Sequence, residues 1–266
     1  MEEYIQNYHD TKPIIVFDFP IGSGGIGDCV NYFTVAAGIC IHNGIKICYL
    51  KHNIPLEKYI LLKHEKMYIT KDEIKESRII SNAEEILSGL PQNIYNITTP
   101  RVFYKCCDKT NRVEVSDLFH FSKETILNSN HLLSGRNYSP YISIHLRLGD
   151  KYLETEKKFI QCSNDTRDYD EDKIYKFIED NIDKHTIMFF CDNKEYKLKI
   201  KNKYNDIIIT DSVIGHSSLY NTSERQVLDA VTEFYIISES EKIYAASSSG
   251  FSRMASRFKN IPLLYI

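Results

Sequence analysis

Glycine and proline are scarce, 11 and 7 residues in a chain of 266, and that scarcity excludes collagen-like and low-complexity disordered classes. Neither sign of charge dominates. The 33 basic and 36 acidic residues leave a net charge of −3, so no global field advertises nucleic acid or an anionic membrane as partner. No apolar stretch approaches the roughly 20 residues that a membrane-spanning helix needs. The opening residues Met1 to Asn7 are acidic and polar, unlike a secretory signal, which predicts a protein that is neither secreted nor anchored. Cysteine is present but unpaired in pattern. Its seven positions, 29, 40, 48, 106, 107, 162 and 191, make an odd number. Cys106 and Cys107 are adjacent rather than C-x-x-C, which is poor geometry for zinc. Reduced, mostly buried thiols in a cytosol-like compartment are expected. The N-x-S/T sequons at Asn96, Asn137, Asn164 and Asn221 then read as chance matches.

What remains is an ordinary globular composition, 42% hydrophobic and 26% charged, enough for one large domain or two of about 130 residues each. Ile14 to Phe19 is a β-branched and aromatic run of strand length closed by Pro20. A glycine cluster follows, Gly22-Ser-Gly-Gly-Ile-Gly27. Asp28 to Asn43 then reads as a helix apolar nearly all round, stopped at Asn43-Gly44. Lys46 to Leu50 is the next strand, so the chain opens as β-loop-α-β, the start of a parallel sheet covered on both faces. Residues 52–135 show amphipathic pieces at 56–64 and 82–89, a strand candidate at Val102–Cys106 and a helical piece near 123–133. The turn-rich Ser134 to Pro140 marks a boundary, giving domains 1–138 and 139–266.

Strand and helix then alternate. Strands are expected at Tyr141–Leu148, His185–Asp192, Asp206–Thr210, Lys242–Ala246 and Leu263–Ile266. Helices are expected at Asp172–Ile182, Lys194–Lys203, Ser223–Ser238 and Phe251–Phe258. This spacing predicts a second right-handed parallel α/β unit. The fold class expected is α/β, with two Rossmann-like domains whose parallel sheets face a central cleft.

Three segments carry chemistry. Gly22-x-Gly24-x-x-Gly27 matches the dinucleotide fingerprint, where backbone N–H groups at a helix start hold a phosphate. That fingerprint expects an acidic residue at the end of the second strand, and Tyr49-Leu-Lys-His-Asn53 has none, which weakens a nicotinamide oxidoreductase. A tight turn without ligand is the equal alternative. His145-Leu-Arg147-Leu-Gly149-Asp150 ends an apolar strand, where open α/β sheets place ligands. Period-two alternation puts His145 and Arg147 on one face, and a guanidinium beside an imidazole suits a phosphate and a charged leaving group. The competing reading is an Arg–Asp pair closing a turn over a core histidine. Ser247-Ser-Ser-Gly-Phe-Ser252 joins a strand to a short helix, either as an anion seat or as an ordinary serine N-cap.

In this order, Gly24-Gly25-Ile26-Gly27-Asp28, His145 to Asp150 and Ser248-Ser249-Gly250-Phe251-Ser252 resemble the signatures of the GDP-fucose-dependent α1,2-, α1,6- and protein O-fucosyltransferase superfamily. The resemblance implies a GT-B fold and metal-independent, inverting transfer from a nucleotide sugar to a glycan acceptor, with the donor held mainly by the C-terminal domain. It implies that Gly25 and Gly27 help hold the donor. Arg147 would grip the diphosphate and stabilise the departing nucleotide, with His145 assisting. Ser248, Ser249, Gly250, Phe251 and Ser252 would line the phosphate and sugar pocket, and Asp192 would lie near base and ribose. Asp28 replaces an asparagine common in relatives, and is either a general base or a helix cap. The membrane anchor and stem of eukaryotic relatives are missing, which predicts action in a cytosol.

Other readings compete with this one. No residue distinguishes guanine from uracil, so a UDP-sugar transferase is the alternative enzyme, and a non-catalytic nucleotide-sugar or glycan-binding module the alternative class. Asp168-Tyr169-Asp170 matches the metal-binding D-x-D of the GT-A fold but follows a polar loop. It is expected to serve the next helix N-terminus instead, with no metal required. The basic run Lys194, Lys197, Lys199, Lys201 and Lys203 reads as a solvated helix face.

Overall fold

Side chains such as Ile15, Val16 and Phe17 suit a strand covered on both faces. In the computed structural model, which describes residues 1–8, 14–103, 113–135, 138, 140–153, 165–217 and 222–266, they form the centre of a parallel sheet. The first half contributes Ile14–Phe17 (β1), Lys46–Leu50 (β2), Ile60–Leu62 (β3), Tyr68–Ile69 (β4), Ser77–Ile79 (β5), Tyr95–Thr98 (β6) and Phe119–Phe121 (β7). Five of these make the sheet β4-β2-β1-β6-β5, all parallel, while β3 and β7 pair antiparallel beside it. The second half contributes Ile142–Leu146 (β8), Ile187–Cys191 (β9), Lys242–Ala245 (β10) and Leu263–Tyr265 (β11). They form a second parallel sheet in the order β11-β10-β8-β9.

The helix Ile26–His42 buries Val30, Phe33, Ala37 and Cys40 along its length. A Phe33 removed from water contributes roughly 1.5–3 kcal/mol. This helix packs on the helix Gly250–Lys259, and Lys123–Leu132 packs on Glu224–Ser238. One apolar core therefore runs from β1 through Phe33 to Phe234, Met254 and Phe258, linking the two halves of the chain. The amide of Asn128 donates across that packing to Asp229 Oδ1 at 3.1 Å and Thr232 Oγ1 at 2.9 Å. The outer face of the second sheet has its own core around Ile144, Ile174, Phe189 and Ile200.

Several local expectations need correction. Residues Pro100–Phe103 form a 3-10 turn, not the start of a strand at Val102, and the rest of that candidate lies outside the described residues. The strand β6 lies just upstream. Residues 56–64 hold one helical turn, Leu56–Tyr59, followed directly by β3, and 82–89 hold only the turn Glu84–Leu87. Asp206–Thr210 makes a single bridge, Met188 to Ile208, rather than a strand. Lys197 is not on a solvated face. It is 1% exposed and its ammonium lies 3.1 Å from Glu233.

Cys29, Cys40, Cys48 and Cys191 are buried free thiols, while Cys106, Cys107 and Cys162 lie outside the described residues. Asn96 is fully buried, its amide tied to Ile14 and Ile94 carbonyls. The sequon asparagines 137, 164 and 221 are outside the described residues. Among the described residues no helix is long and apolar enough to cross a membrane.

Candidate active site

The strand β8 ends at Leu146, which releases Arg147 into the opening between the two sheets. Its neighbour β10 runs parallel, His145 opposite Ala245, so Ser247 arrives beside Arg147. The Ser247 hydroxyl accepts the Arg147 N–H at 2.9 Å and donates to the Arg147 carbonyl at 2.9 Å. The backbone is thereby locked where the guanidinium departs. That guanidinium pairs with Asp150 and lies 2.8 Å from Asp192 Oδ2. Asp192 closes β9 and also accepts Leu148 N–H at 2.8 Å and Gly149 N–H at 3.1 Å. Both its oxygens are thus committed to holding the Arg147 turn. A planar fork between two carboxylates is oriented before any ligand arrives.

His145 stacks its ring on Phe251, with centroids 5.2 Å apart and planes at 17°. Burial, then the charge of Arg147, lowers its pKa to about 3, so the imidazole is neutral. Its Nδ1 is buried without a hydrogen-bond partner. A buried polar atom without a partner costs free energy.

The glycine turn reaches the same opening from the first sheet. Gly25 is the N-cap of the helix Ile26–His42, and the side chain of Asp28 reaches back so that its Oδ2 accepts the Gly25 N–H at 3.0 Å. Burial raises the Asp28 pKa; the Gly25 N–H and the charges of Arg253, Arg167 and Arg147 work against that rise. At Gly27 a Cβ would fall 2.5 Å from the Gly250 carbonyl carbon. Only glycine lets these two helices meet backbone to backbone. Their N-termini therefore open side by side, each bringing a positive dipole end. Ser249 caps the second of them, accepting the Phe251 N–H at 3.2 Å.

These groups line a cleft of about 400 Å³. The structure brings together Gly25, Gly27, Asp28, His145, Arg147, Asp192, Ser248, Ser249, Gly250 and Phe251 along its walls. Ser252 is different. It is buried behind them, and its hydroxyl turns to the Ser249 carbonyl at 3.4 Å. Asp170 of the D-x-D segment caps the helix Glu171–Asn181, accepting the Lys173 N–H at 3.1 Å. Among the described residues no group of three or more His, Cys, Asp or Glu side chains is arranged to hold a metal ion.

The lining also holds charged residues that the sequence did not single out, among them Arg167, His216, Glu233 and Arg253. The His216 ring lies against Gly25, its Nε2 3.1 Å from where a Cβ would stand, and burial followed by Arg147 lowers its pKa to about 3. Next to it, Ser217 donates to the Gly24 carbonyl at 3.1 Å. Glu233 Oε1 is gripped by Lys197 and by the hydroxyls of Thr210 and Ser212, while among the described residues no group hydrogen-bonds Oε2. The one available signal was spacing. Asp229 and Glu233 sit four apart inside an apolar helical pattern, where a solvated carboxylate has no place.

No family model matches the chain, and no curated protein sequence matches it. Solved structures do. NodZ α-1,6-fucosyltransferase co-crystallised with GDP superposes with a TM-score of 0.58 at 10% identity, covering 92% of each chain. POFUT1 in complex with GDP-fucose gives 0.56 at 12% identity, over 96% of this chain and 98% of that one. A variant of Arabidopsis thaliana FUT1 in complex with GDP gives 0.54 at 10% identity, over 99% and 74%. With two parallel sheets opening on one cleft, the chain has the α/β, GT-B-like fold of GDP-fucose-dependent fucosyltransferases.

Proposed function

We propose that the chain is an inverting, metal-independent glycosyltransferase that moves fucose from GDP-fucose to a glycan acceptor. Residues 139–266 would hold the donor and 1–138 the acceptor. The observation that carries this reading is Arg147, oriented by Asp150 and Asp192 at a cleft where two helix N-termini open. A nucleoside diphosphate leaves with growing negative charge, and without a metal a preorganised cation must meet it. Arg147 does so with help from Arg253, while backbone N–H groups around Gly25, Gly27 and Gly250 receive phosphate oxygens. Neutral His145 contributes a hydrogen bond rather than a charge. Ser248, Ser249 and Phe251 shape the sugar and phosphate seat, with Ser252 supporting them from behind. Asp28 keeps the glycine turn in place.

The choice of guanine rests on Glu233. It lines the cleft, Lys197 and two hydroxyls hold its Oε1, and among the described residues no group hydrogen-bonds its Oε2. Guanine offers two adjacent N–H donors on one edge, and the two lone-pair sites of the open Oε2 suit them; uracil offers a single N–H between two carbonyls. Incubation with a panel of nucleotide sugars, with and without EDTA, tests the reading. GDP-fucose should release GDP in both conditions. No binding and no turnover across the panel would reject it.

A further inference from the structure

Resting on that guanine reading, we propose that Lys197 is a positioning residue for base recognition. Together with Thr210 and Ser212 it fixes Glu233 by one oxygen and leaves the other to the base. Lys197 is 1% exposed, in the helix Lys194–Lys203, whose Lys194 and Lys199 make their ion pairs at the surface. An ammonium has three protons to donate. The Ser212 hydroxyl at 2.8 Å, the Ser212 carbonyl at 3.2 Å and Glu233 Oε1 at 3.1 Å receive them. Thr210 and Ser212, both buried, donate their hydroxyls to the same Oε1. One oxygen therefore collects three donors, and the other has none among the described residues. The polar side-chain atoms there that are sealed from solvent without a partner are Thr98 Oγ1, Ser143 Oγ and His145 Nδ1. Glu233 Oε2 is not one of them, so it keeps accessible surface on a side chain that lines the cleft.

The tethers come from separate pieces of chain. Asn193 caps the helix of Lys197 directly after Asp192, so the carboxylate that holds Arg147 and the ammonium that holds Glu233 leave one strand–helix junction. Thr210 and Ser212 precede Gly215 and His216, which lie on the cleft wall. Glu233 meets them from the helix Glu224–Ser238. A buried ion pair adds little net stability, because desolvation offsets its attraction. What it supplies here is orientation. A glutamate tied by one oxygen cannot swing the other away, so the cost of ordering it is met before a ligand arrives. The ring N–H and the exocyclic amino group of guanine can then share the two lone-pair sites of Oε2. The base of inosine diphosphate keeps the ring N–H and lacks the amino group, so it presents one donor fewer to the same oxygen.

Calorimetric titration with GDP and with inosine diphosphate measures that orientation as a ratio of affinities. The wild type should bind GDP about tenfold more tightly, the contribution of the one donor that separates the two. Ser212→Ala removes a hydroxyl tether and keeps the ion pair, and should narrow the ratio to about threefold or less. Lys197→Met should narrow it at least as far. Both act through Glu233, so adding Ser212→Ala to Glu233→Gln should leave the ratio of Glu233→Gln unchanged. A purely structural role would lower denaturation midpoints while each single variant kept the wild-type ratio, and that result overturns the inference. A further loss of ratio in the double variant overturns it as well. Where Lys197→Met does not fold, Ser212→Ala decides by the same ratio. A wild type that binds GDP and inosine diphosphate alike fails earlier, at the guanine reading.

Discussion

Arg147 is the residue on which the account is most exposed. Replacing it with alanine removes the preorganised cation and leaves Asp150 and Asp192 facing each other across the gap. Steady-state turnover of GDP-fucose by Arg147→Ala should fall on the order of a hundred- to a thousandfold. Arg147→Lys should rescue poorly, because a point charge cannot bridge two carboxylates as a planar fork does. Activity within a few-fold of wild type in folded Arg147→Ala would move the site elsewhere. His145, Arg147 and Asp192 were legible because each ends an apolar strand, where a charged side chain has few bland explanations. Glu233 and Lys197 were not. Each sits on a helix, where a charge reads as solvated until its partner is known, and their partnership is a contact between segments far apart in sequence. Arg253 was hidden the same way, in the first turn of a helix whose orientation only the fold reveals.

At the scale of elements, the crossing of Ile26–His42 with Gly250–Lys259 positions everything that faces the diphosphate. A methyl group at Gly27 would stand 2.5 Å from backbone that cannot rotate away. Gly27→Ala should therefore destabilise the protein by about 1–3 kcal/mol, the usual range for overpacking. The GDP affinity of whatever remains folded should also fall. Chemical denaturation with and without GDP measures both; an unchanged midpoint and unchanged affinity would mean the helices do not meet as described. The opening β1-turn-helix-β2 unit and the four strands of the second sheet were readable from apolar runs and glycine placement. β5 was missed because Ser77-Arg-Ile79 is a short edge strand with an exposed, polar pattern, and β6 because Asn96 interrupts its apolar run. Conversely, Ile207, Ile208 and Ile209 look like a strand, yet only Ile208 pairs, bridging to Met188 on the free edge of β9.

At the scale of the whole molecule, one core joins both halves, so local charge changes register in global stability. His145 and His216 have pKa values near 3 when folded against an ordinary 6.5, burial being the larger cause for each. The unfolded chain therefore binds more protons than the folded one between those values. Stability is fully present above pH 6.5 and falls as the pH drops, by about 1.4 kcal/mol per pH unit for each group. Denaturation midpoints between about pH 5.5 and 4, below the unfolded value, should approach that slope, and His216→Gln should remove about one proton from it. A flat profile would mean that these rings protonate in place.

Calorimetric titration of the protein with GDP and with UDP, in the presence of EDTA, tests the proposed guanine-nucleotide site. If Glu233 reads the base as proposed, guanine offers it one more donor than uracil, so GDP should bind at least about tenfold more tightly, the equivalent of one hydrogen bond at about 1.4 kcal/mol. Equal affinity for the two nucleotides, or no heat with GDP unless a divalent metal is supplied, would contradict the account.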